Sequence, residues 1–250
     1  MPAPIALQLY SIRHELATDF ESTIRKVADM GYIGVEPAGF DGSTLEEAVK
    51  LFQNLQLTSP ACHCPLPLGA NKQRSLDTVL SLQAKYLVSG LGPEDFATID
   101  LIKSSCDQFN RASAIAAEHH LILAIHNHWW EFEQIDDKLV VDVMLDFLSP
   151  EVHFEFDTYW AQTAGANPVA ALRKLGNRAP LLHIKDGPCD KDLNMTAVGD
   201  GTMDFPAIFE TTKQTAQWAI VELDRCSTDM MEAVQRSYDY LTTNALALGK

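Results

Sequence analysis

Eight times along the chain, a short apolar run typical of a β-strand precedes a longer segment whose apolar residues follow helical spacing. The predicted strands are 5–10, 32–36, 57–63, 86–90, 121–126, 152–157, 180–185 and 218–222. The predicted helices are 20–30, 45–55, 71–83, 94–118, 141–147, 168–175, 205–215 and 230–246, of which 94–118 is open to division into a short helix and a long one. Eight units over 250 residues average about 31 residues, the size of one βαβ-type unit.

This repetition narrows the fold to the α/β class. The strands are apolar on both faces, as parallel strands buried between helices are, and right-handed crossovers let eight of them close into a ring. An open doubly wound sheet is the main competitor, but no Gly-rich phosphate turn follows the first strand. Because no segment has the composition of a linker, we expect a single (β/α)8 TIM barrel domain spanning residues 1–250.

The charge balance excludes several classes of partner. There are 19 Lys and Arg residues against 34 Asp and Glu residues, a net charge of −15, so we expect neither a nucleic acid nor a membrane as partner. No apolar run approaches the length of a membrane span. Five cysteines without framework spacing predict free thiols in a reducing compartment. Residues 1–7 lack a basic segment or apolar signal core, so we expect a cytoplasmic protein.

Polar residues collect where the predicted strands end, which in a TIM barrel is the active-site face. They are Gln8 and Tyr10 after strand one, Glu36, His63, His126 to His128, Asp157, His183 with Lys185, and Glu222 with Asp224. Packing does not require such groups, and each costs free energy if it is buried without a partner. The sequence therefore predicts a functional site at this end of the barrel.

Four of these residues have the chemistry of one divalent-metal site. His126, Asp157, His183 and Glu222 end four consecutive strands and are separated by 31, 26 and 39 residues. Imidazole and carboxylate ligands together favour Mn²⁺, Zn²⁺, Co²⁺ or Fe²⁺ over Ca²⁺ and Mg²⁺. The alternative is that each is an isolated polar residue at a strand end. We expect one divalent metal ion, with Mn²⁺ as the first expectation.

Further side chains are candidates for contact with substrate. We assign His63, Asn127 and His128 to substrate binding, with His128 also open as a residue that orients a metal ligand. Lys185 shares a strand face with His183, so it either neutralises charge on a substrate oxygen or forms a salt bridge. In the run from Cys62 to Cys64, strand alternation turns His63 away from two thiols that we interpret as structural.

Aromatic residues follow strands one, five and six. Trp160 and Tyr10 are assigned to substrate binding, and Trp129, Trp130 and Tyr159 lie in the same loops. Aromatic walls suit the apolar face of a sugar or cyclitol ring, with core packing as the alternative.

An ordered set of motifs spans nearly the whole chain: Leu7–Arg13 (LQLYSIR), Gly31–Glu36 (GYIGVE), Ile125–Phe132 (IHNHWWEF), Phe156–Asp157, Leu182–Gly187 (LHIKDG) and Val198–Gly201 (VGDG). The set resembles the xylose isomerase-like TIM barrel superfamily, and within it the sugar phosphate isomerase/epimerase group in a His-Asn-His-x-x-Glu-Phe branch. The resemblance implies a carbohydrate substrate, and it leaves a homo-oligomer open.

The resemblance also implies metal ligands Glu, Asp, His and Glu from strands five to eight. Asp157, His183 and Glu222 match, whereas His126 stands where Glu is usual, with Glu36 and Glu131 as stand-ins. The implied chemistry is removal of a proton next to a carbonyl through an enediolate. Glu222 is the first choice of base. Glu36 or His126 would serve the opposite face of the carbon, and Lys185 is the third catalytic candidate.

Several functions remain open at this point. The first is a metal-dependent sugar or keto-sugar isomerase/epimerase. The runner-up is a lyase of the same family type, an inosose dehydratase or an enzyme of 3-keto-glycoside β-elimination, with His128 or His63 as general acid. An apurinic-site endonuclease shares the barrel but needs a basic groove, which the net charge opposes. A non-catalytic sugar-binding barrel would have no need of the metal.

Overall fold

The protein forms a nearly closed barrel of eight parallel strands in a computed structural model that describes residues 1–250. The strands are Ala3–Gln8 (β1), Gly34–Glu36 (β2), Ala61–His63 (β3), Tyr86–Ser89 (β4), Ile122–His126 (β5), Gln134–Ile135 (β6), Lys138–Leu139 (β7), His153–Asp157 (β8), Leu181–Ile184 (β9), Trp218–Val221 (β10) and Ala247–Leu248 (β11). β6 and β7 form a separate antiparallel hairpin, and β11 pairs with the start of β1. The predicted (β/α)8 TIM barrel is confirmed.

The ring of strands runs β1–β2–β3–β4–β5–β8–β9–β10 and returns to β1. Between β2 and β3 the only ladder contact is a parallel bridge from Gly34 to Thr58. The amide of Val35 donates to the Thr58 carbonyl at 2.9 Å, and the amide of Thr58 donates to the Ile33 carbonyl at 3.0 Å. All the carboxyl ends therefore meet at one mouth of the barrel, as parallel pairing requires.

Ten α-helices surround the ring: Arg13–Thr18 (α1), Phe20–Met30 (α2), Leu45–Asn54 (α3), Lys72–Ser81 (α4), Ile99–Glu118 (α5), Val140–Phe147 (α6), Thr158–Thr163 (α7), Pro168–Leu175 (α8), Phe205–Thr212 (α9) and Met230–Thr243 (α10). Eight of these correspond to predicted helices, and the segment 94–118 divides into a 3-10 turn, Pro93–Phe96, followed by α5. α1 and α7 were not predicted, because six residues are too few for helical periodicity to register. No helix combines the length and the apolar composition needed to cross a membrane.

Local signals explain where individual helices begin and end. Thr44 starts α3 with a capping box: its hydroxyl accepts from the Glu47 amide at 3.2 Å, and the Glu47 carboxylate accepts from the Thr44 amide at 3.1 Å. Gly31 ends α2 at a φ of +103°, a conformation that favours glycine. A Cβ at Gly31 would also collide with the ring of Tyr238.

The interior of the barrel is apolar at one level and polar at the next. The apolar layer consists of Ala6, Ala61, Tyr86, Val88, Ala124, Leu181 and Ile220, all buried. Two residues further along the same strands stand Gln8, His63, His126, His183 and Glu222. Because strand side chains alternate with a period of two, these polar groups face the same lumen at its carboxyl end. A larger apolar core fills the space between the strands and the helices.

Candidate active site at the carboxyl ends of the strands

Four residues at the ends of β5, β8, β9 and β10 converge into what we call the strand-end cluster: His126, Asp157, His183 and Glu222. One ligand atom from each lies within 4.8 Å of the others, and all four residues are buried. His126 Nε2 is 3.3 Å from Asp157 Oδ2 and 3.9 Å from Glu222 Oε2, and His183 Nδ1 is 2.8 Å from Glu222 Oε2. The structure thus brings together the four residues that the sequence proposes as metal ligands.

Lys185 reaches into the strand-end cluster. Its Nζ lies 3.1 Å from Asp157 Oδ2, 2.7 Å from Glu222 Oε2 and 2.8 Å from Asp224 Oδ2. Burial opposes the charge, but the surrounding carboxylates, with Asp157 first, hold the pKa of Lys185 well above its usual value. Lys185 therefore forms the salt bridge that was one of its two predicted roles. The oxygens that it contacts, Asp157 Oδ2 and Glu222 Oε2, belong to two of the proposed metal ligands.

Four residues from opposite sides of the ring form a second group, the cross-barrel cluster: Glu36, His63, Glu155 and His183. Its ligand atoms also lie within 4.8 Å of one another. His63 Nε2 is 2.6 Å from Glu155 Oε2 and 3.6 Å from Glu36 Oε1. His183 Nε2 is 3.0 Å from Glu155 Oε2 and 2.9 Å from Glu36 Oε2. The His183 imidazole thus joins the two clusters, with Nδ1 toward Glu222 and Nε2 toward Glu36 and Glu155.

Glu155 is the site residue that the sequence analysis missed. It lies inside β8 and not at its end, so it was not among the strand-end residues considered. A signal was present, because Glu155 precedes Asp157 by two residues and therefore shares its inward face. A carboxylate between two phenylalanines of a strand, on that face, has to find a partner in the lumen.

The carboxyl groups of the two clusters have different proton affinities. Burial, reinforced by the neighbouring Glu155, raises the pKa of Glu36 to about 8. Burial also opposes ionisation of Glu222, but Lys185 and His183 outweigh it and hold the pKa of Glu222 well below its usual value. The structure therefore places an ionised carboxylate on β10 and a protonated carboxyl on β2, the separation of pKa values that proton-transfer sites use.

The loop after β5 contains three residues that the sequence analysis singled out: Asn127, His128 and Glu131. The Asn127 side chain accepts from the Asp157 amide at 2.9 Å and donates to the Asp157 carbonyl at 3.2 Å. It is buried with both ends of its amide on the backbone, so it fixes the start of α7, and its predicted contact with substrate stays a prediction. Glu131 accepts from the His128 amide at 2.8 Å and belongs to neither cluster, so it does not replace the usual strand-five ligand.

His128 stacks on Trp130 at a ring distance of 4.1 Å and meets the His126 ring edge-on at 4.8 Å. Burial, with His126 and Lys185 nearby, lowers the pKa of His128 to about 2. The ring is therefore neutral and packs against a residue of the strand-end cluster. This position agrees with the orienting role that the sequence left open.

The two aromatic candidates lie in different environments. Trp160 is buried, with its ring 4.9 Å from that of Trp129 and 5.3 Å from Lys185 Nζ. Its faces are thus in contact with protein groups, as in the core-packing alternative. Tyr10 is exposed, and the guanidinium of Arg13 lies 4.1 Å above its ring.

A cavity of about 990 Å³ opens between the loops after β2 and β3 and the start of α4. His63 lines its floor, and its side chain is 22% exposed, more than any other member of the two clusters. Cys62 and Cys64 also line the cavity, with their sulfurs 3.6 Å apart as free thiols. His63 is thus the member of the clusters that borders this cavity.

Asp186 holds the long loop after β9 in place. Its carboxylate accepts from the amides of Gly187, Gly199, Gly201 and Met203. A Cβ at Gly201 would collide with the Asp186 carboxylate, which explains the glycine in the Val198–Gly201 motif. This loop packs beside the strand that carries His183.

Comparison with known proteins agrees with this architecture. The family model of the xylose isomerase-like TIM barrel matches residues 24–243. The chain belongs to that family. The resemblance drawn from the sequence motifs is thereby confirmed.

Individual members of the family show how close the likeness is. A sugar phosphate isomerase/epimerase from Parabacteroides distasonis superposes with a TM-score of 0.84 at 25% identity, over 99% of this chain and 96% of that one. The IolI protein, solved with zinc bound, superposes with a TM-score of 0.75 at 16% identity, over 98% of both chains, which shows the shared fold alone.

An inosose dehydratase from Clostridium beijerinckii is 25% identical over 142 residues, which is 49% of this chain and 47% of that protein. The matched segment thus spans about half the length of this relative. The xylose isomerase-like family therefore includes structural and sequence relatives with isomerase, epimerase and dehydratase names.

Proposed function

We propose that the protein is a divalent-metal-dependent isomerase or epimerase that moves a proton next to the carbonyl of a sugar or keto-sugar. The strand-end cluster carries this proposal, because two imidazoles and two carboxylates converge at the mouth of the barrel. Adjacent ligand atoms of a six-coordinate ion with bonds of about 2.1 Å lie about 3.0 Å apart. The distances of 2.8 and 3.3 Å in the cluster fit that spacing.

Such an ion, Mn²⁺ first among the metals this ligand set favours, supplies a Lewis acid for the carbonyl oxygen of the substrate. The protein's own groups then handle the proton. Glu222 makes its contacts to His126, His183 and Lys185 through Oε2, so Oε1 is left to accept a proton from the substrate carbon. Its low pKa keeps it ionised and ready to act as a base at neutral pH.

Lys185 has the complementary role. When a proton leaves the carbon, negative charge develops on the neighbouring oxygen. An ammonium held 2.7 Å from the base lies within reach of that oxygen and stabilises its charge. Because Lys185 is buried, little water screens this interaction.

The position of Glu36 favours proton transfer on a single face. Glu36 is fully buried and its Oε1 has neither solvent nor a hydrogen-bond partner, so this carboxyl does not reach a substrate carbon. One base can move a proton between adjacent carbons on one face, and together with transfer of the hydroxyl proton to the former carbonyl oxygen this completes isomerisation. Epimerisation needs a group on the other face, and His126 is the remaining candidate.

The test is a panel of aldoses, ketoses and keto-sugars incubated with the Mn²⁺-loaded protein in deuterated water. We expect deuterium at the carbon next to the carbonyl, together with the isomerised sugar. Glu222→Gln should lose both signals, whereas the exposed Glu133→Gln should retain them. Absence of exchange with every substrate in the panel would argue for a sugar-binding barrel without catalysis.

A second candidate is a lyase that begins with the same proton removal. The partial similarity to inosose dehydratase favours it. The leaving hydroxyl then needs a proton donor. Burial lowers the pKa of His63, but Glu155 and Glu36 outweigh burial and raise it, whereas the pKa of His128 is lowered, so His63 is the better proton donor of the two. A dehydrated product in the same panel, with its loss in His63→Gln, would identify the lyase.

A further inference from the structure

The cross-barrel cluster has the composition of a metal site and contains no lysine or arginine. It contains two carboxylates and two imidazoles, and no lysine or arginine forms an ion pair with Glu36 or Glu155. In the strand-end cluster, by contrast, Lys185 supplies a positive charge to Asp157 and Glu222. In the cross-barrel cluster only the imidazoles of His63 and His183 can carry positive charge, and imidazoles, unlike an ammonium, are also metal ligands.

Two buried oxygen atoms of this cluster have no hydrogen-bond partner. Oε1 of Glu36 and Oε1 of Glu155 are inaccessible to solvent and have no hydrogen-bond partner. Glu36 Oε1 lies 3.6 Å from His63 Nε2 and so faces into the cluster. Buried acceptors are almost always paired, and a bound cation is one of the partners that satisfies such carboxylate oxygens.

The ligand spacing is also suitable. The imidazole nitrogens and carboxylate oxygens of the cluster are separated by 2.6, 2.9, 3.0 and 3.6 Å. Neighbouring ligands of an ion with bonds of about 2.1 Å lie about 3.0 to 3.4 Å apart, so small side-chain movements would admit one. Gln8 donates to Glu36 Oε2 at 3.1 Å and orients that carboxylate.

We propose that Glu36, His63, Glu155 and His183 form a second divalent-metal site, joined to the strand-end site by the two nitrogens of His183, whose imidazole would release its N–H protons to solvent when both sites are filled. Its ligand set favours a borderline metal such as Zn²⁺, Mn²⁺, Co²⁺ or Fe²⁺. The partly exposed His63 provides the entry path from the cavity between the β2 and β3 loops. This site extends the proposed function, because a His63 that ligates an ion is no longer a proton donor and the single-base isomerisation is favoured over elimination.

The test counts metal ions. Protein stripped with a chelator is titrated with Mn²⁺ and, separately, Zn²⁺ by isothermal titration calorimetry, and its content after dialysis is measured by mass spectrometry. We expect two ions per chain. His63→Ala and Glu155→Gln should each weaken one class of site by more than about tenfold and leave the other within about twofold. The exposed His14→Ala should retain both classes.

Complementary variants separate this proposal from the proposed function. Asp157→Ala should remove the other class and spare the one that depends on His63. One ion per chain, with an affinity that His63→Ala and Glu155→Gln do not change, would overturn the second site and leave the strand-end assignment standing. One ion that His63→Ala weakens and Asp157→Ala spares would support the cross-barrel site and contradict the strand-end ligands. Circular dichroism and thermal unfolding check that each variant is folded.

Discussion

The two clusters in the barrel mouth share His183 but differ in how their charge is balanced. In the strand-end cluster, Lys185 contacts Asp157 and Glu222, so the carboxylates have a fixed cation. In the cross-barrel cluster, Glu36 and Glu155 contact only imidazoles and the amide of Gln8, and each leaves one oxygen unpaired. The comparison shows that similar ligand sets a few ångströms apart differ in their charge balance. In the strand-end cluster a metal would compete with the Lys185 ammonium, whereas in the cross-barrel cluster only the two imidazoles can carry positive charge.

The largest effect is expected where the clusters meet. His183→Ala removes a ligand from both, so we expect metal to be lost from both classes of site and kcat/KM to fall by about 10⁴-fold or more. Metal content and steady-state kinetics of the purified variant measure this. A variant that kept full metal occupancy and turnover would show that the two clusters are not joined through this imidazole.

Much of this arrangement follows from the sequence, because strand ends and a period of two suffice to place His126, Asp157, His183 and Glu222 on one mouth. Glu155 was missed because the sequence analysis considered only residues at the ends of strands, and Glu155 lies inside one. Asn127 was assigned to substrate because hydrogen bonds to a backbone distant in sequence cannot be inferred from its own position. The six-residue helices α1 and α7 are too short for periodicity to register, and only α7 has a side-chain cap, in which Asp157 accepts from the Trp160 amide.

The next largest effect is expected for Glu222→Gln, which should lower catalysis without changing metal binding in the cross-barrel cluster. Glu222→Gln removes the proposed base but leaves the cross-barrel ligands intact. We expect kcat to fall by about 10² to 10⁴-fold, with the class of metal site that depends on His63 unchanged. Deuterium exchange at the substrate carbon and a metal titration of the same sample give the two readouts. An equal loss of metal affinity in both classes of site would mean that metal binding in one cluster depends on the other.

Lys185→Met tests the internal cation directly. Removing one partner of a buried ion pair costs about 3 to 5 kcal/mol, so the metal-free variant should unfold at lower denaturant than the metal-free wild type. Added Mn²⁺ should restore much of the difference, because the ion replaces the ammonium between Asp157 and Glu222. Urea unfolding with and without metal measures both quantities, with the exposed Lys213→Met as the control. No metal-dependent recovery would count against competition at this site.

The smallest effect is expected at Glu131 in the loop after β5, a loop whose His128 packs against His126 of the strand-end cluster. Burial raises the pKa of Glu131 to about 8, so between about pH 5 and pH 8 the folded protein holds a proton that the unfolded chain releases. This carboxyl therefore lowers stability as the pH rises through that range, by up to about 3 kcal/mol. Glu131→Gln should show a shallower decline in the free energy of unfolding, and Glu133→Gln should follow the wild type. Parallel pH profiles for all three proteins would refute the assignment.

The most direct measurement is anomalous diffraction from crystals grown with Mn²⁺, collected on both sides of the manganese absorption edge. The account predicts a peak with Asp157, His183 and Glu222 at about 2.0 to 2.3 Å, and a second peak between Glu36, His63 and Glu155. A manganese-rich crystal with no anomalous peak among Asp157, His183 and Glu222 would contradict the proposed metal chemistry at the strand ends.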